Sequence, residues 1–318
     1  MPVIIASQME DGFNAELRAH AAAPTVVPAP EARPWEAAVA ADVLLVRPTP
    51  AWRGAKAASA PAPEAWPGRL RWVYSASAGI DFYPSWLLDA PMVTCGGGVA
   101  ADEIADYVMA AIFLQAKDLE AVRARRLAEW KNVPLGRVSG STVGIVGLGA
   151  IGAAVARRAL AFGMRVTAVR RRRDRPSPVS GVQLLDDLAA VFSCADHIVL
   201  TVPATEATRG LIDARALSRA RPTAHLINVA RGSILDQRAL LDALDTGRLG
   251  FATLDVTDPE PLPADHPLWA HPRVRLTPHV ASNHTRLRGL LFDQVAANLD
   301  RFVRGEALHD IVDPLAGY

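Results

Sequence analysis

Short apolar runs alternate with polar connectors over the first 98 residues. Four of these runs are predicted to form strands: residues 3–6, 43–46, 72–75 and 92–95. Loops rich in alanine and proline, such as residues 48–67, and stretches of helical length separate the runs. The pattern is typical of strands joined by helices and loops, and it carries no signature of a cofactor site.

A longer apolar periodicity begins at Ala101, where the spacing becomes helical. An acidic first turn precedes the apolar positions Ile104, Val108, Ala111, Ile112 and Leu119. We predict one helix over residues 101–119, which begins a second structural unit.

From Thr142 onward the chain repeats a pattern of strand and helix. Segments of helical length separate six apolar runs that are predicted to be strands: residues 143–146, 165–169, 197–202, 225–229, 251–256 and 274–277. Alternation of this kind specifies a parallel sheet with helices on both faces.

A last amphipathic helix is predicted from about residue 286 to 303. Its apolar face consists of Leu287, Leu290, Leu291, Val295, Leu299 and Phe302. The tail that follows is too short to fold alone, so we assign it to the first unit. The pattern therefore predicts two domains, one formed by residues 1–98 and 284–318 and the other by residues 99–283.

The charge balance and the hydropathy favour small partners. The 34 basic and 33 acidic side chains of the 318 residues leave a net charge of +1, which gives no field to hold nucleic acid or an anionic membrane. The longest apolar stretch, residues 143–156, is rich in glycine and shorter than the ~20 residues of a membrane span. Residues 1–7 have no basic region before them, so we expect a first strand and not a signal peptide.

Only two cysteines occur, Cys95 and Cys194, and they are far apart in the sequence. Neither lies at metal-ligand spacing with a second cysteine or a histidine cluster, so we predict no metal site. The low cysteine count fits a reducing compartment, and we expect a cytoplasmic protein.

A glycine-rich loop follows the first strand of the strand-helix repeat. The pattern G-x-G-x-x-G covers Gly147, Gly149, Ala150, Ile151 and Gly152. The first glycine allows a tight turn, the second lets the backbone approach a pyrophosphate, and the third lets helix and strand pack closely. The motif is weak evidence alone and strong evidence in this context, and it predicts a dinucleotide site.

Four arginines end the next predicted strand, where an NAD-binding unit presents an acid about 20 positions after the first glycine. They are Arg170, Arg171, Arg172 and Arg173. An acid would repel a 2′-phosphate, whereas guanidinium groups bind one through paired hydrogen bonds, so we predict NADP in preference to NAD. The alternative is a solvated basic loop, with Asp174 reaching the ribose and NAD as the cofactor.

Three side chains of complementary chemistry follow the last three predicted strands: Arg231, Glu260 and His279. Because the carboxyl ends of parallel strands share one edge of the sheet, where ligands bind, we expect these side chains to converge. They match the needs of 2-keto acid reduction: a cation for the carboxylate, a proton donor for the carbonyl oxygen, and a carboxylate to hold and charge that donor. Asp258 and Asp265 share the acidic loop of Glu260 and are alternatives to it.

With these motifs the chain resembles the D-isomer-specific 2-hydroxyacid dehydrogenase family, and Arg170 favours its glyoxylate and hydroxypyruvate reductase branch. The resemblance covers nearly the whole chain and rests on five blocks: residues 77–81, 146–152, 228–236, 254–263 and 277–282. It implies two Rossmann-like, doubly wound parallel-sheet α/β domains with the active site in the cleft between them. Residues 1–98 and 284–318 would form the substrate-binding domain, and residues 99–283 the dinucleotide-binding domain.

The resemblance implies a role for each matching catalytic residue. Arg231 would bind the substrate carboxylate and polarise its carbonyl group. His279 would donate the proton in reduction and accept it in oxidation, and Glu260 would pair with His279.

The resemblance also implies further contacts to the substrate and the cofactor. Backbone amides around Ser77, Ala78 and Gly79 would meet the substrate carboxylate from the first domain. Asp255 would bind the nicotinamide carboxamide, and the other residues lining the cofactor would be Val202, Pro203, Thr208, Val229, Ala230 and His279.

A homodimer is implied as well, formed through the dinucleotide-binding domain, with residues 119–138 as the candidate segment. Residues 48–52 are a candidate wall of the pocket for the substrate side chain. The chain ends at Tyr318 without the long C-terminal extension of many phosphoglycerate dehydrogenases, so feedback-controlled serine biosynthesis is not expected.

Two other functions stay open beside NAD(P)H-dependent reduction of a small 2-keto acid to the D-2-hydroxy acid. Some relatives of this fold are transcriptional corepressors that sense a dinucleotide, and a fold does not fix a function. Tight cofactor binding without turnover would indicate such a sensor. Oxidation of formate, phosphite or another non-keto acid would indicate a related dehydrogenase.

Overall fold

The computed structural model describes residues 2–172 and 176–313. Within it the chain divides into two units, here called unit 1 (Met1–Val99 with His284–Tyr318) and unit 2 (Ala100–Asn283). Arg173 and Asp174, which the sequence offers for cofactor recognition, lie outside the described residues.

Unit 1 is built on a five-stranded parallel sheet. Its strands are β1 (Ile4–Ser7), β2 (Thr25–Pro28), β3 (Val43–Val46), β4 (Trp72–Ser75) and β5 (Val93–Cys95), in the spatial order β2-β1-β3-β4-β5. The direction of winding reverses between β1 and β3. The carboxyl ends of these two strands therefore form a topological switch point, the place where open α/β sheets bind ligands.

Four α-helices of the described residues cover this sheet. Numbered in chain order, they are α1 (Asp11–Arg18), α2 (Pro50–Ala57), α3 (Ser85–Leu88) and α9 (Leu287–Arg304). The buried residues of α9 include Leu291, Val295 and Leu299, which belong to the predicted apolar face. Beyond α9, Ile311 forms an antiparallel bridge with Thr94 of β5, so the tail extends the unit 1 sheet.

Two features of unit 1 differ from the sequence-based expectation. Strand β2 was not predicted, because it is short and, apart from Val26, exposed at the sheet edge. Trp52 belongs to the predicted pocket wall at residues 48–52, yet it is fully buried and packs against Tyr83 and Trp86. Its ring is therefore part of the core, and a role of the other residues of this segment in a substrate pocket stays a prediction.

Unit 2 is built on a seven-stranded parallel sheet. Its strands are β6 (Thr142–Val146), β7 (Arg165–Val169), β8 (Val182–Leu184), β9 (His197–Leu200), β10 (His225–Asn228), β11 (Phe251–Leu254) and β12 (Val274–Leu276), in the order β12-β11-β10-β9-β6-β7-β8. The switch point lies between β6 and β9, so the glycine loop after β6 is at the expected place for a ligand.

Helices on both faces bury this sheet, and they are α4 (Ala101–Lys117), α5 (Ala150–Ala161), α6 (Leu188–Cys194), α7 (Ala214–Leu217) and α8 (Gln237–Asp245). One apolar cluster contains Ala105 and Ala154 of α4 and α5, and the other contains Val191 and Leu240 of α6 and α8. The predicted fold class, two doubly wound parallel-sheet α/β domains, is confirmed.

The predicted strands of unit 2 extend slightly too far at their carboxyl ends. Strands β9, β10, β11 and β12 stop one or two residues before the apolar runs do. The apolar residues beyond each strand, such as Val202 and Val229, already belong to the loops that carry the candidate site. Strand β8 was not predicted, because it has only three residues, none of them fully buried.

None of the helices in the described residues combines the length and the apolar composition of a membrane-spanning segment. Within the same ranges, 2–172 and 176–313, no group of three or more His, Cys, Asp or Glu side chains is placed to hold a metal ion.

Candidate active site

A histidine and a carboxylate are hydrogen-bonded at the carboxyl edge of the unit 2 sheet. His279 Nδ1 lies 2.7 Å from Oε1 of Glu260, and both side chains are partly exposed. Burial pushes the pKa of Glu260 upward, but the hydrogen bond and charge of His279, with smaller contributions from the Thr257 backbone and the charge of Arg231, hold it below its usual range. Glu260 is therefore the ionised partner of the imidazole at neutral pH.

The backbone at His279 has an unusual conformation that its neighbours hold in place. Its φ is +53°, in the left-handed region that non-glycine residues seldom adopt. The His279 N–H donates to the carbonyl of Asp255 at 2.8 Å. The Asp255 carboxylate accepts hydrogen bonds from the N–H groups of Val280 and Ala281, both at 2.9 Å. These bonds offset the strain and fix the direction of the imidazole.

Asp255 thus has a structural task that the sequence did not predict. Its side chain is 2% exposed, and it also accepts a hydrogen bond from the Thr277 hydroxyl at 2.6 Å. Because Thr277 donates to Asp255, the Tyr107 hydroxyl 2.6 Å away must be the donor to Thr277. Burial raises the pKa of Tyr107, so the phenol keeps its proton. The contact of Asp255 with the nicotinamide carboxamide stays a prediction.

Tyr107 and Thr277 are functional candidates that sequence reasoning missed. Tyr107 lies in the middle of α4, where an aromatic residue reads as ordinary packing, and its contact with Thr277 spans 170 residues of sequence. The only available signal was the position of Thr277 at the end of a predicted strand and two residues before His279. That position alone does not reveal a buried donor.

Arg231 follows β10, which neighbours the strand before Glu260 in the sheet. The Asn228 side chain holds this turn, because it donates to the carbonyl of Arg231 at 2.9 Å and accepts from the N–H of Ala230 at 3.0 Å. A Cβ at Gly232 would lie 1.9 Å from the backbone of Thr257, so only glycine allows the loops after β10 and β11 to approach this closely. The sequence of this turn therefore brings Arg231 and Glu260 to one edge.

The glycine loop has the three properties that dinucleotide binding needs. Gly147 has φ +102°, and a Cβ there would lie 2.8 Å from the Val202 side chain. A Cβ at Gly152 would lie 2.2 Å from the carbonyl oxygen of Gly147, whereas nothing lies within 4 Å of one at Gly149. Gly147 and Gly152 thus close the turn, and Gly149 leaves open space before α5. Helix α5 begins without a side-chain cap.

Arg170 lies at the end of β7, beside a hollow of about 130 Å³ that Leu184, Leu185 and Asp186 also line. Its Nη2 donates to the carbonyl of Pro176 at 3.0 Å, while its buried Nε has no hydrogen-bond partner among the described residues. A buried guanidinium nitrogen without a partner fits a site made for an anion. Arg171 and Arg172 follow as exposed residues.

The remaining cofactor candidates of unit 2 lie in loops at the same carboxyl edge. After β9, the Thr208 hydroxyl donates to the carbonyl of Pro203 at 2.7 Å and accepts from the N–H of Thr205 at 2.8 Å, which closes the turn that begins at Val202. Val229 and Ala230 follow β10 and are buried. The structure thus places the predicted cofactor residues of unit 2 after neighbouring strands.

The predicted substrate residues of unit 1 form the turn after β4. The Ser77 hydroxyl donates to the carbonyl of Gly79 at 2.8 Å. The Ser75 hydroxyl lies 3.0 Å from the Ser77 hydroxyl. The N–H groups of Ala78 and Gly79 donate no hydrogen bond within the described residues. They are available to bind an oxygen anion.

The opposite, amino edge of the unit 2 sheet contains a second polar surface. A hollow of about 660 Å³ is lined there by Arg137, Arg165, Asp196 and His197, among others. It contains none of the predicted site residues. The Asp196 carboxylate accepts hydrogen bonds from the Arg221 guanidinium at 2.7 Å and from the N–H of Thr142 at 2.8 Å. Its role is therefore structural.

Comparison with protein families gives one match that covers more than half of the chain. The model of the NAD-binding domain of D-isomer specific 2-hydroxyacid dehydrogenases matches residues 109–281. A glyoxylate/hydroxypyruvate reductase A of Serratia proteamaculans (strain 568) is 32% identical over 263 residues, which cover 79% of this chain and 82% of the relative. The resemblance inferred from the sequence motifs is confirmed.

Solved structures agree with this match. A D-isomer specific 2-hydroxyacid dehydrogenase from Xanthobacter autotrophicus Py2, in complex with NADPH and MES, has a TM-score of 0.80 at 28% identity and covers 100% of both chains. An NADPH-dependent glyoxylate/hydroxypyruvate reductase from Sinorhizobium meliloti, in complex with NADP and sulfate, has a TM-score of 0.78 at 26% identity, covering 100% of this chain and 99% of that one.

Proposed function

The chain belongs to the D-isomer specific 2-hydroxyacid dehydrogenase family, and we propose that it reduces a small 2-keto acid, of the glyoxylate or hydroxypyruvate kind, to the D-2-hydroxy acid with NADPH. The observation that carries this proposal is the hydrogen bond between His279 and Glu260 at the carboxyl edge that also holds Arg231. The names of the relatives support the substrate class and the cofactor.

The proton for the carbonyl oxygen comes from His279. Glu260 accepts from Nδ1, so Nε2 is the ring nitrogen that faces the substrate and delivers the proton. The carboxylate of Glu260, kept ionised by its lowered pKa, stabilises the charged imidazole that precedes transfer. The same pair accepts the proton when the hydroxy acid is oxidised.

Arg231 binds the substrate carboxylate and polarises the carbonyl group beside it. A guanidinium presents a planar pair of donors that matches a carboxylate, which fixes the direction of the keto acid as well as its charge. In unit 1 the N–H groups around Ser77, Ala78 and Gly79 are proposed to bind the same carboxylate. These roles assign residues 1–98 and 284–318 to substrate binding and residues 99–283 to dinucleotide binding.

The residues of unit 2 fit a dinucleotide. When bound, NADPH supplies the hydride that reaches C2 of the keto acid. The open space at Gly149 and the amino end of α5, formed by Ala150, Ile151 and Gly152, suit the pyrophosphate. The cluster Arg170 to Arg172 suits the 2′-phosphate, and the segment Val202, Pro203 and Thr208 suits the adenosine side.

A homodimer through residues 119–138 is part of the proposal. In this segment Leu119, Leu127 and Trp130 are 67%, 90% and 82% exposed, and Val133 and Leu135 are exposed too. Large apolar side chains gathered in one exposed segment favour a protein partner, and a second copy is the simplest one. Light scattering of the wild type should give twice the chain mass, and Leu127→Glu with Trp130→Glu should give a monomer.

We place this activity in the cytoplasm. Cys95 and Cys194 are both free thiols, as expected in a reducing compartment. Fractionation of cells that express the protein would test this placement, and recovery in a secreted or membrane fraction would contradict it.

Turnover by the purified protein tests the proposed function. NADPH and NADH oxidation are followed separately with glyoxylate, hydroxypyruvate, pyruvate and phenylpyruvate. We expect turnover with NADPH to exceed that with NADH, and Arg170→Ser to narrow this preference about tenfold by removing one charge-assisted contact. Tight NADPH binding without any turnover would contradict the proposal in favour of a sensor, and oxidation of formate or phosphite alone would favour a non-keto acid dehydrogenase.

A further inference from the structure

Three hydroxyl groups adjoin one another at the turn of unit 1 that is proposed to bind the substrate carboxylate. Ser75 ends β4 and is buried, and its Oγ lies 3.1 Å from the Tyr83 hydroxyl and 3.0 Å from the Ser77 hydroxyl. Tyr83 follows the turn along the chain and is buried as well. These three residues, here called the hydroxyl network, connect the core of unit 1 with the turn at residues 77–79.

The direction of the hydrogen bonds in this network follows from the hydrogens available to it. The Ser77 hydroxyl donates to the carbonyl oxygen of Gly79 at 2.8 Å, and a carbonyl oxygen can only accept, so Ser77 has no hydrogen left for Ser75. The Ser75 hydroxyl must therefore donate to Ser77, and the Tyr83 hydroxyl must donate to Ser75. The hydrogen bonds run one way, from Tyr83 through Ser75 and Ser77 to the turn.

Tyr83 supplies the first hydrogen of the network. Burial raises the pKa of its phenol above the usual range, so the group keeps its proton under assay conditions. The N–H of Ser77 also donates to Ser75 Oγ, at 3.3 Å, so both lone pairs of this oxygen are occupied when Tyr83 donates to it. The hydrogen of the Ser75 hydroxyl is thereby directed toward Ser77.

The hydroxyl network sets the orientation of the peptide groups in the turn. Ser75 Oγ lies 3.3 Å from the carbonyl oxygen of Ser77, which shares its peptide group with the N–H of Ala78. The C=O and N–H of a trans peptide point in opposite directions, so the Ala78 N–H points away from the hydroxyls. Ala78 is exposed. The hydroxyls therefore hold the carbonyl oxygens of Ser77 and Gly79 and leave N–H donors of the turn for an anion.

We propose that Tyr83 is a positioning residue for substrate binding, because through Ser75 and Ser77 it fixes the turn whose N–H groups bind the carboxylate of the keto acid. This inference rests on the proposed function and adds a residue that acts on the substrate only through others. Donors that are already in place bind an anion more tightly than donors that must first be ordered. Loss of the phenol hydroxyl should therefore weaken the binding of keto acids and spare the chemical step.

Tyr83→Phe is the decisive variant, because packing holds the ring independently of its hydroxyl. The ring centroid lies 5.6 Å from that of Trp52 and 4.5 Å from that of Phe82, and phenylalanine keeps both contacts. We expect KM for hydroxypyruvate to rise about fivefold, the equivalent of one hydrogen bond, while kcat stays within about twofold. KM for NADPH should not change. Steady-state kinetics with each substrate varied in turn measures all three constants.

Tyr74→Phe is the matched control. Tyr74 precedes Ser75 in β4 and so points to the opposite face of the same sheet, where its buried hydroxyl donates to Oε1 of Gln294 at 2.9 Å. Each variant loses one phenol hydrogen bond in unit 1, so thermal unfolding should show similar losses of stability. Only Tyr83→Phe should raise KM for the keto acid.

Two further measurements separate positioning from a structural role. Ser77→Ala removes the last hydroxyl of the network and should also raise KM for hydroxypyruvate, whereas Ser77→Thr keeps a hydroxyl at this partly exposed position and should restore most of the binding. Oxamate carries the carboxylate of a keto acid beside an amide that is not reduced, so it reports binding without turnover. Its inhibition constant should rise in Tyr83→Phe by the same factor as KM.

The outcomes distinguish this inference from the proposed function. An active enzyme whose KM for hydroxypyruvate is unchanged in Tyr83→Phe, or rises equally in Tyr74→Phe, would overturn the inference and leave the proposed function intact. An unchanged KM in Ser77→Ala would overturn it as well, and this variant decides the matter if Tyr83→Phe does not fold. A wild-type protein that reduces no keto acid would contradict the proposed function, and the inference would fall with it.

Discussion

The two edges of the unit 2 sheet hold histidines in opposite environments. At the carboxyl edge, the side chain of His279 is 38% exposed and hydrogen-bonded to Glu260. At the amino edge, His197 and His225 begin neighbouring strands with their rings 5.7 Å apart, and both are buried. Burial lowers the pKa of His197 to about 4 and that of His225 to about 3.

In this sheet the surroundings of a histidine, and not the residue type, decide whether its imidazole can take part in proton transfer. The amino edge keeps its imidazoles neutral at physiological pH, where they pack as aromatic rings; His225 also bonds the Thr253 hydroxyl at 2.9 Å. The carboxyl edge offers a carboxylate to the ring and access to a substrate. Proton transfer is therefore possible at one edge, while pH-dependent stability is expected from the other.

The largest effect should come from removing the imidazole at the carboxyl edge. His279→Gln should lower kcat about a thousandfold, because general acid catalysis by a placed side chain contributes factors of that size. His197→Gln at the amino edge should leave kcat within about threefold. Steady-state reduction of hydroxypyruvate by NADPH measures both, and an active His279→Gln would place the proton donor elsewhere.

The second effect is on stability, and its sign follows from the lowered pKa values. The unfolded chain binds protons at its histidines near pH 6.5, whereas the folded chain keeps His197 and His225 neutral down to about pH 4 and 3. Stability is therefore retained above pH 6.5 and lost as the pH falls below it. Between pH 7 and pH 5 each histidine should remove about 2 kcal/mol from the free energy of unfolding.

His197→Phe should recover about 2 kcal/mol of this loss, because phenylalanine keeps an aromatic ring and cannot be protonated. Urea unfolding at pH 7, 6 and 5 gives the free energies. His309→Phe, at an exposed position of unit 1, is the control that should not change the pH dependence. An unchanged loss in His197→Phe would show that other groups cause the acid sensitivity.

A smaller effect should come from the carboxylate beside His279. Glu260→Gln keeps a hydrogen-bond acceptor but removes the charge, so kcat should fall about tenfold and less than in His279→Gln. The acidic limb of the pH profile of kcat should also move, because the Glu260 carboxyl, whose pKa is lowered in the wild type, is replaced by an amide that does not titrate. Asp265→Asn, in the same loop, should leave the profile as it is. Equal effects of Glu260→Gln and Asp265→Asn would show that Glu260 is not the specific carboxylate partner of His279.

The smallest effect concerns the partly buried hydrogen bond between Tyr107 and Thr277. Tyr107→Phe removes only the hydrogen bond to Thr277, so kcat should fall about threefold while KM for the keto acid changes little. A positioning residue should alter kcat at every pH without moving the pH profile. A fall in melting temperature with unchanged kcat would limit Tyr107 to a structural role.

Sequence patterns predicted most of the fold for a physical reason. Buried parallel strands are continuous apolar runs, and ten of the twelve strands in the described part of the chain were recognised in this way. Strands β2 and β8 escaped because they are short and exposed at sheet edges, where no apolar run is needed. The glycine loop was equally readable, because Gly147 and Gly152 meet steric demands that no other residue satisfies.

Contacts between distant residues could not be predicted in this way. The pairing of His279 with Glu260 could be predicted from the sequence, because the two residues follow neighbouring strands of the sheet. The Asp255, Thr277 and Tyr107 contacts depend on side-chain directions that no periodicity encodes.

The fate of the hydride is the sharpest test of the proposed keto acid reduction. Hydroxypyruvate is reduced by the purified protein with NADPH that carries deuterium at the transferable C4 position, and the product is analysed by NMR and chiral chromatography. We predict glycerate of the D configuration with deuterium at C2. Consumption of NADPH without deuterium at C2, or a product of the L configuration, would show that the protein is not a D-specific keto acid reductase.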